Sequence, residues 1–499
     1  MQSKLEHSLP PVPEFLFPTI PSWTDRYKPK EQRAKLAPWI VRSGISQSQP
    51  QYLPPTWASY VQPEGQLYFA SNAAPRTVTE GDFYDAVKQE KFMKIAQLVC
   101  KVAEARNIVL PETSELYLEL SGSMDRCFYY FADHATQTLF WLSDRNSEDL
   151  GFGDVASESQ SAYVLEEQYW LHVEQFPSHR THDLSLRLDE LIPVFQHGEC
   201  DQRTSESSTF PYTAKQCKEF LRLLYYAREN PHSSFNVCYV ARLWGQMSRH
   251  RHRTLYGQQL ARLDRTVSVV DKPEKKRGRV FTATSHLLLG VPGRYAADLD
   301  KRFVDDLVCS YVWQDFLTKA HHEWRQSLNF SFALSIFNAI LLLVPETSGP
   351  LAIASLLCSA VVVVSSLALQ ARPSHQTSPA PSAEEAGSYL YTSSEDLHVS
   401  HSLAFALPRA FFLWATALTV AQAIVWLERT ISEHVPLERE VSMCIFAALA
   451  LCIIIAACIP WRRWGAAVSG AIRRPYRWWR RQQRSADVDE SLPFICEKV

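Results

Sequence analysis

Residues 130–141 read YFADHATQTLFW and decide how the N-terminal part of this chain folds. An aromatic run leads into Asp133 and His134, and a threonine-rich run then ends at Trp141. Aromatic and β-branched residues favour strands, and a short polar interruption between two such runs favours a turn. The stretch therefore predicts a small antiparallel hairpin.

A second stretch of the same kind begins with LPPTW at Leu53 and continues to LYF at residues 67–69. Trp57 precedes Tyr68 by eleven positions, and Tyr130 precedes Trp141 by the same interval. Both stretches resemble WW domains, the three-stranded modules that bind proline-rich peptides. A polyproline II ligand is already extended before it binds. It therefore loses little conformational entropy when its prolines stack in an aromatic groove.

The resemblance implies a role for each aromatic position. Structural core residues of the two copies would be Trp57, Phe69 and Phe131. Peptide-binding residues would be Tyr130, His134, Trp141 and Tyr68, with Ala132 beside them. The alternative is that Tyr130 and Trp141 only pack against neighbouring helices.

Both copies depart from the family pattern. The first has Thr79 in place of the groove tryptophan and Asn72 in place of the usual histidine, and the second has Glu119 in place of the core tryptophan. Neither has the closing proline, because Asp82 and Asp144 stand there. We expect the first copy to fold better than it binds, and the second to keep a binding face on a weakened core.

Four apolar runs of about 20 residues lie in the last third of the chain, and none contains a charged residue. They are Ser327–Val344, Leu351–Ala371, Ala410–Leu427 and Val441–Ile459. One such run could be a buried helix of a soluble protein, but four predict a polytopic membrane protein. Proline interrupts the first 21 residues, so no secretory signal is expected there.

Composition and periodicity complete the predicted layout. The fold class is mainly α, with two small degenerate WW-like antiparallel β modules, a helical block and a C-terminal four-helix transmembrane region. The N-terminal half is predicted as a Pro-rich disordered leader at 1–50, WW-like copy 1 at 51–82, a linker helix at 83–110, WW-like copy 2 at 113–145 and a helical block at 158–265. A basic linker with a juxtamembrane helix follows at 266–326. Four transmembrane helices then occupy 327–460, with a loop at 372–402, and a basic amphipathic tail ends the chain at 461–499.

Eight arginines follow the last apolar run, which predicts a cytosolic C-terminus by the positive-inside rule. An even number of crossings then places the N-terminus in the cytosol too. We expect an integral, multi-pass protein of the endoplasmic reticulum or the plasma membrane.

No catalytic constellation, phosphate-binding loop or nucleophile elbow occurs in the sequence, so no enzyme activity and no cofactor are predicted. His172, His179 and His182 lie close together in sequence, but no cysteine or carboxylate spacing completes a metal motif. We interpret them as surface or packing histidines. A net charge of −2 gives no reason to expect nucleic acid as a partner.

The whole arrangement resembles uncharacterised WW-domain-containing, predicted multi-span membrane proteins of basidiomycete fungi, a family with no assigned activity. The preferred function is a membrane-tethered scaffold whose cytosolic WW-like region contacts proline-rich segments of a partner or of its own leader. The alternatives are a membrane-shaping protein that uses transmembrane hairpins and an amphipathic tail, and a channel or transporter. Its partners would be the lipid bilayer and proline-rich peptides.

Overall fold

The structure is a computed structural model that describes residues 10–24, 26, 36–38, 43, 51–180, 184–271, 277–305, 309–344, 347–371 and 397–434. It is mainly helical, as predicted, with a small sheet near the N-terminus. The chain forms two compact units, of which one comprises residues 1–272 and 304–311 and the other comprises residues 273–303 and 312–499.

The first unit contains one seven-stranded sheet. Its strands are β1 (Leu16–Pro18), β2 (Trp57–Val61), β3 (Leu67–Ser71), β4 (Thr77–Thr79), β5 (Ser114–Leu120), β6 (Cys127–Asp133) and β7 (Thr138–Phe140). The strands β2–β3–β4 and β5–β6–β7 form two antiparallel meanders. Parallel pairing of β4 with β5, with Thr77 opposite Leu116, joins the two meanders. The two predicted β modules are therefore not separate, but halves of one sheet.

One face of this sheet packs on helix α1 (Ala86–Ala105), which lies between the two meanders in sequence. The Asp85 carboxylate caps the helix by accepting hydrogen bonds from the amides of Val87 and Lys88. Because side chains alternate along a strand, every second residue faces α1. The predicted core residues lie on this face, where Trp57 stacks on Phe83 with ring centroids 3.9 Å apart.

The other face packs against a helical layer. Its helices are α2 (Glu158–Gln175), α3 (Ser185–Thr204), α4 (Ala214–Glu229) and α5 (Ser234–Arg253). Trp170 on α2 and Trp244 on α5 stack with centroids 6.0 Å apart, and both are buried. The helical part of the predicted block thus ends at Arg253 rather than at residue 265.

The leader contains ordered structure, which corrects the prediction of disorder for part of residues 1–50. Strand β1 pairs in parallel with β6, with Leu16 opposite Cys127. A short 3₁₀ turn, Pro21–Trp23, follows it. Strand β7 pairs only with residues 131–133 of β6. Residues 127–129 of the same strand edge are therefore available to pair with the leader.

The second unit consists of helices joined by turns in the part that the structure describes. Its helices are α6 (Arg279–Leu287), α7 (Val291–Asp300), α8 (Ser310–Leu341), α9 (Gly349–Ala371) and α10 (Leu397–His434). The region predicted as a basic linker, 266–326, therefore includes α6, α7 and the start of α8.

Two helices in the described ranges are long and apolar enough to cross a membrane, namely α9 and the segment Val399–Arg429 of α10. Only 28% and 22% of their most apolar windows are buried, which is low for core helices of a soluble protein. The first predicted span overlaps α8 up to Leu341, and α8 is not one of the two. The fourth, Val441–Ile459, lies outside the described residues.

The packing of α9 places small polar residues inside and large apolar residues outside. Ser355 and Ser359 are fully buried, whereas Leu357 and Val364 are 64% and 68% exposed. The Ser355 hydroxyl lies 2.9 Å from the Thr419 hydroxyl of α10. Small residues and interhelical hydrogen bonds are what hold helices together when the surroundings are as apolar as the outer side chains.

Candidate functional site

The predicted peptide-binding residues lie close to one another beneath the helical layer. Tyr68 and Tyr130 are fully buried on the face that packs against α2, and the side chain of His134 is 5% exposed. Trp141 is half-buried at the sheet edge, where its indole Nε1 donates a hydrogen bond to the Thr19 carbonyl at 3.0 Å. Three of the four are therefore covered by the protein itself, and the fourth contacts the leader.

The centre of this region is the carboxylate of Glu115 on β5. Strand alternation places Glu115 on the same face as Tyr117, beneath α2, where it is 1% exposed. An ionised carboxylate at such a position is costly unless charges or hydrogen bonds compensate it. The groups around Glu115 are therefore the ones that define the site.

Three histidines direct their Nε2 atoms toward this carboxylate. His172 of α2 is 2.9 Å from Glu115 Oε2, and His179 is 2.7 Å from Oε1. His134, in the turn between β6 and β7, approaches Oε2 to 3.7 Å. The three rings come from a turn, a helix and the segment after that helix, and they converge on one point.

Each histidine is held at its other nitrogen by a tyrosine hydroxyl. Distances from Nδ1 to the hydroxyl oxygen are 3.2 Å for His134 and Tyr169, 3.0 Å for His172 and Tyr130, and 3.2 Å for His179 and Tyr68. Such outer contacts fix the orientation and the tautomer of a ring. Glu115, the three histidines and the three tyrosines are called the Glu115 cluster below.

The local sequence explains how His172 and His179 reach the same carboxylate. Pro177 has no amide hydrogen and prevents α2 from continuing, so the chain turns back toward the sheet after Phe176. The Ser178 amide then donates a hydrogen bond to the Tyr68 hydroxyl at 2.8 Å, and the Ser178 hydroxyl donates one to the Val61 carbonyl at 3.0 Å. These contacts fix the segment that carries His179 on the sheet.

The electrostatics favour an ionised carboxylate beside a neutral His172 ring. Burial alone would raise the pKa of Glu115, but the interactions with His179, His134 and His172 outweigh it and hold that pKa well below its usual range. Burial lowers the pKa of His172 from 6.5 to about 4, despite the opposing effect of Glu115. At neutral pH, His172 is therefore a neutral imidazole with a lone pair on one nitrogen.

The Glu115 cluster contains the donor types that bind divalent metals, namely imidazole nitrogen and carboxylate oxygen. One donor atom each from Glu115, His134 and His172 lies within 4.8 Å of the other two. The side chains of Glu115 and its three histidine neighbours are only 1–5% exposed, so a substrate could not reach them without movement of α2. The geometry is that of a closed site.

Sequence reasoning found Tyr68, Tyr130 and His134 but missed Glu115 and Tyr169, and it assigned His172 and His179 to a surface or packing role. The residues are far apart in sequence, since His172 follows Glu115 by 57 positions and His179 follows it by 64. A usable signal existed, since alternation places Glu115 on the same face as the predicted groove residues. His182, the third histidine of that group, lies outside the described residues.

Comparisons with known proteins assign no relative to this chain: no protein-family model matches it, and neither a curated protein nor a solved structure is significantly similar. Functional inference therefore depends on the chain's own geometry, in particular the Glu115 cluster and the contact of the leader with β6 and Trp141.

Proposed function

We propose that this chain is a membrane-tethered scaffold whose N-terminal unit holds extended, proline-containing segments at the edge of β6. Its own leader is the resident segment. The observation that carries the proposal is the pairing of β1 with β6 beside Trp141, whose indole donates a hydrogen bond to the leader at Thr19.

Backbone hydrogen bonds hold the leader on the edge. The Cys127 amide donates to the Phe15 carbonyl at 2.8 Å, and the Thr19 amide donates to the Tyr129 carbonyl at 3.0 Å. Binding of this kind, in which a segment adds a strand to a sheet, obtains affinity from the backbone and specificity from alternate side chains. The alternate side chain here is Leu16, which is 4% exposed among the residues that face α1.

The prolines of the leader limit how far the strand pairing can extend. Pro18 ends β1, and Pro21 begins the 3₁₀ turn, because neither has an amide hydrogen to donate. Side chains of α2 bind the backbone beyond the strand: Gln175 donates to the Pro21 carbonyl at 2.9 Å, and Gln168 accepts from the Ser22 amide at 3.2 Å. A three-residue strand followed by prolines is a short contact that a similar segment of a partner could replace.

The resident leader competes with any partner because it is part of the same chain. Its effective concentration at the edge is on the order of millimolar, so a partner binds well only when the leader is weakened or the partner is itself concentrated. Tethering would concentrate the partner, since the two apolar helices α9 and α10 would confine this protein and its partners to one membrane.

A peptide with the sequence of residues 10–24, labelled with a fluorophore, tests the proposal on the full-length protein in detergent micelles. Leu16→Asp places a charge in the apolar position of the leader and should release it while leaving the receiving strand unchanged. We expect saturable binding of the peptide to the Leu16→Asp protein and at least tenfold weaker binding to the wild type, measured by fluorescence anisotropy.

The matched control is Leu36→Asp, because Leu36 is 95% exposed in the same leader. That variant should behave like the wild type. A second peptide that carries Leu16→Asp itself should not bind. If the Leu16→Asp protein remains folded by near-ultraviolet circular dichroism and still binds no peptide at saturating concentration, the scaffold proposal is wrong.

A further inference from the structure

Glu115 and three histidine rings converge in a closed pocket that the scaffold function does not use. We propose that Glu115, His134 and His172 bind one divalent transition-metal ion, with zinc as the preferred ion, through Glu115 Oε2 and the two Nε2 atoms, while His179 holds the other carboxylate oxygen. This site is independent of the peptide proposal, because the leader contributes none of the ligands.

The distances fit such a site with little movement. Zinc bonds to nitrogen and oxygen are about 2.0–2.2 Å, so the ligand atoms of a tetrahedral site lie about 3.3 Å apart. The Nε2 atoms of His172 and His134 lie 2.9 and 3.7 Å from Glu115 Oε2, on either side of this separation. The three donor atoms all lie within 4.8 Å of one another, so binding of the ion would draw the two rings together.

The surroundings also match those of a metal-binding histidine. A ligating ring needs its Nε2 lone pair free for the metal and a partner for Nδ1–H. Tyr169, Tyr130 and Tyr68 place a hydroxyl oxygen at each Nδ1. Burial raises the pKa of all three hydroxyls, so they stay neutral and do not compete for the ion as phenolates.

The donor set selects the class of ion. Two imidazoles and a carboxylate suit zinc, iron or manganese, whereas calcium and magnesium prefer oxygen ligands alone. These three protein ligands leave one position of tetrahedral zinc for a water molecule. The side chains are at most 5% exposed, so the ion would be closed off from substrates and would serve the stability of the fold.

The ion would link three parts of the first unit. Glu115 belongs to β5, His134 to the turn after β6, and His172 to α2. Metal bound only by the folded chain stabilises it, because the unfolded chain lacks the converged ligands. We therefore expect metal to hold the helical layer on the sheet.

The test begins with full-length protein purified in detergent micelles from zinc-supplemented cells. We expect about one zinc per chain by mass spectrometry. After stripping with a chelator, added Co²⁺ should give the visible absorption of a tetrahedral site, and Zn²⁺ should abolish it. X-ray absorption of the zinc form should show imidazole ligands at about 2.0–2.1 Å and no sulfur.

Two variants and one control locate the ion. Glu115→Gln and His172→Gln should each lose the Co²⁺ spectrum and at least tenfold in zinc affinity. His250→Gln should retain both, because His250 lies on α5 against Phe210 and outside the Glu115 cluster. Zinc should also raise the unfolding temperature of the stripped wild type but not that of the two variants.

The proposal fails if folded, stripped wild-type protein shows no Co²⁺ spectrum and no stabilisation by Zn²⁺, Mn²⁺ or Fe²⁺. It also fails if X-ray absorption finds sulfur ligands or lacks the imidazole signature. These measurements need only the wild type, so misfolding of a variant does not weaken them. The Glu115 cluster would then be a purely hydrogen-bonded network.

Discussion

The ring of Phe210 packs directly on the backbone of Gly198, so that a Cβ added at Gly198 would lie only 2.5 Å from the ring Cζ. Gly198 is inside α3, where glycine is otherwise unfavourable. Phe210 cannot retreat easily, because it is 6% exposed and packs edge-on against Phe195 with centroids 5.8 Å apart. The glycine is therefore required by packing and not by backbone conformation.

Gly198→Ala should destabilise the protein by about 1–3 kcal/mol, since overpacking outweighs the gain in helix propensity of about 1 kcal/mol. The matched control is Gly245→Ala on α5, where the nearest heavy atoms to an added Cβ are at 3.7 Å, an ordinary contact. That substitution should stabilise by about 0.5–1 kcal/mol. Urea unfolding of both variants measures the difference, and equal effects at the two positions would contradict the packing explanation.

His250 should make stability sensitive to mild acid. Burial, together with the neighbouring charges of Arg251 and Arg253, lowers the pKa of His250 from 6.5 to about 4. As pH falls from 6.5 toward 4, the unfolded chain takes up the proton first, so the free energy of unfolding falls, by up to about 3 kcal/mol. Above pH 6.5 both states are neutral, and the effect disappears.

The variant His250→Gln should have a shallower dependence of unfolding free energy on pH than the wild type across this window, while the two slopes agree above about pH 7. Urea unfolding at several pH values gives both slopes. Parallel curves from pH 6.5 down to pH 4 would mean that His250 is protonated equally in both states.

Ser355 should be the position where the α9–α10 contact is most sensitive to size. Its side chain is fully buried, and its hydroxyl donates to the Ala415 carbonyl at 2.9 Å. Ser355→Leu forces the helices apart and should destabilise the second unit by about 1–3 kcal/mol. Ser365→Leu is the control, because the Ser365 hydroxyl bonds only within its own helix, to the Val361 and Val362 carbonyls.

The two variants are unfolded in mixed micelles with increasing SDS. Tryptophan fluorescence follows the transition, and the free energies of unfolding are compared. A larger effect at Ser365 than at Ser355 would show that the polar side of α9 does not face α10 in the membrane.

Cys200 can report the side of the membrane on which the first unit lies. It is the exposed cysteine among those that the structure describes. If the N-terminal half is cytosolic, as predicted, a membrane-impermeant maleimide should reach Cys200 only after the plasma membrane is permeabilised. The label on the peptide that contains Cys200, identified by mass spectrometry, should disappear in Cys200→Ser. Reaction in intact cells, or only after internal membranes are dissolved, would reverse the predicted orientation.

Local patterns in the sequence were enough to predict most strands and helices of the first unit. Aromatic alternation around Tyr68 and Tyr130 located the hairpins, because one side chain in two faces each side of a strand. Apolar residues at helical spacing predicted a helix between them, and α1 lies there. In the second unit, two of the four apolar runs coincide with helices long and apolar enough to cross a membrane.

What local patterns could not supply is the pairing of distant segments. The parallel contact of β4 with β5 leaves no signature in either strand, and prolines made the leader look unstructured although Leu16–Pro18 is a strand. Glu115 was not singled out as a site residue because its histidine neighbours come from other elements. Contacts between residues that are distant in sequence determine both the strand pairing and the burial of Glu115. Such contacts cannot be read from a single sequence.

The pairing of the leader with β6 has a consequence for synthesis. Leu16 leaves the ribosome before Cys127, opposite which it finally lies, and translation of the intervening chain takes on the order of 10 s. During that interval the apolar side chains of Phe15, Leu16 and Ile20 have no sheet to cover them. A nascent chain that exposes such a segment is a natural client for chaperones, so this protein should depend on them early in its translation.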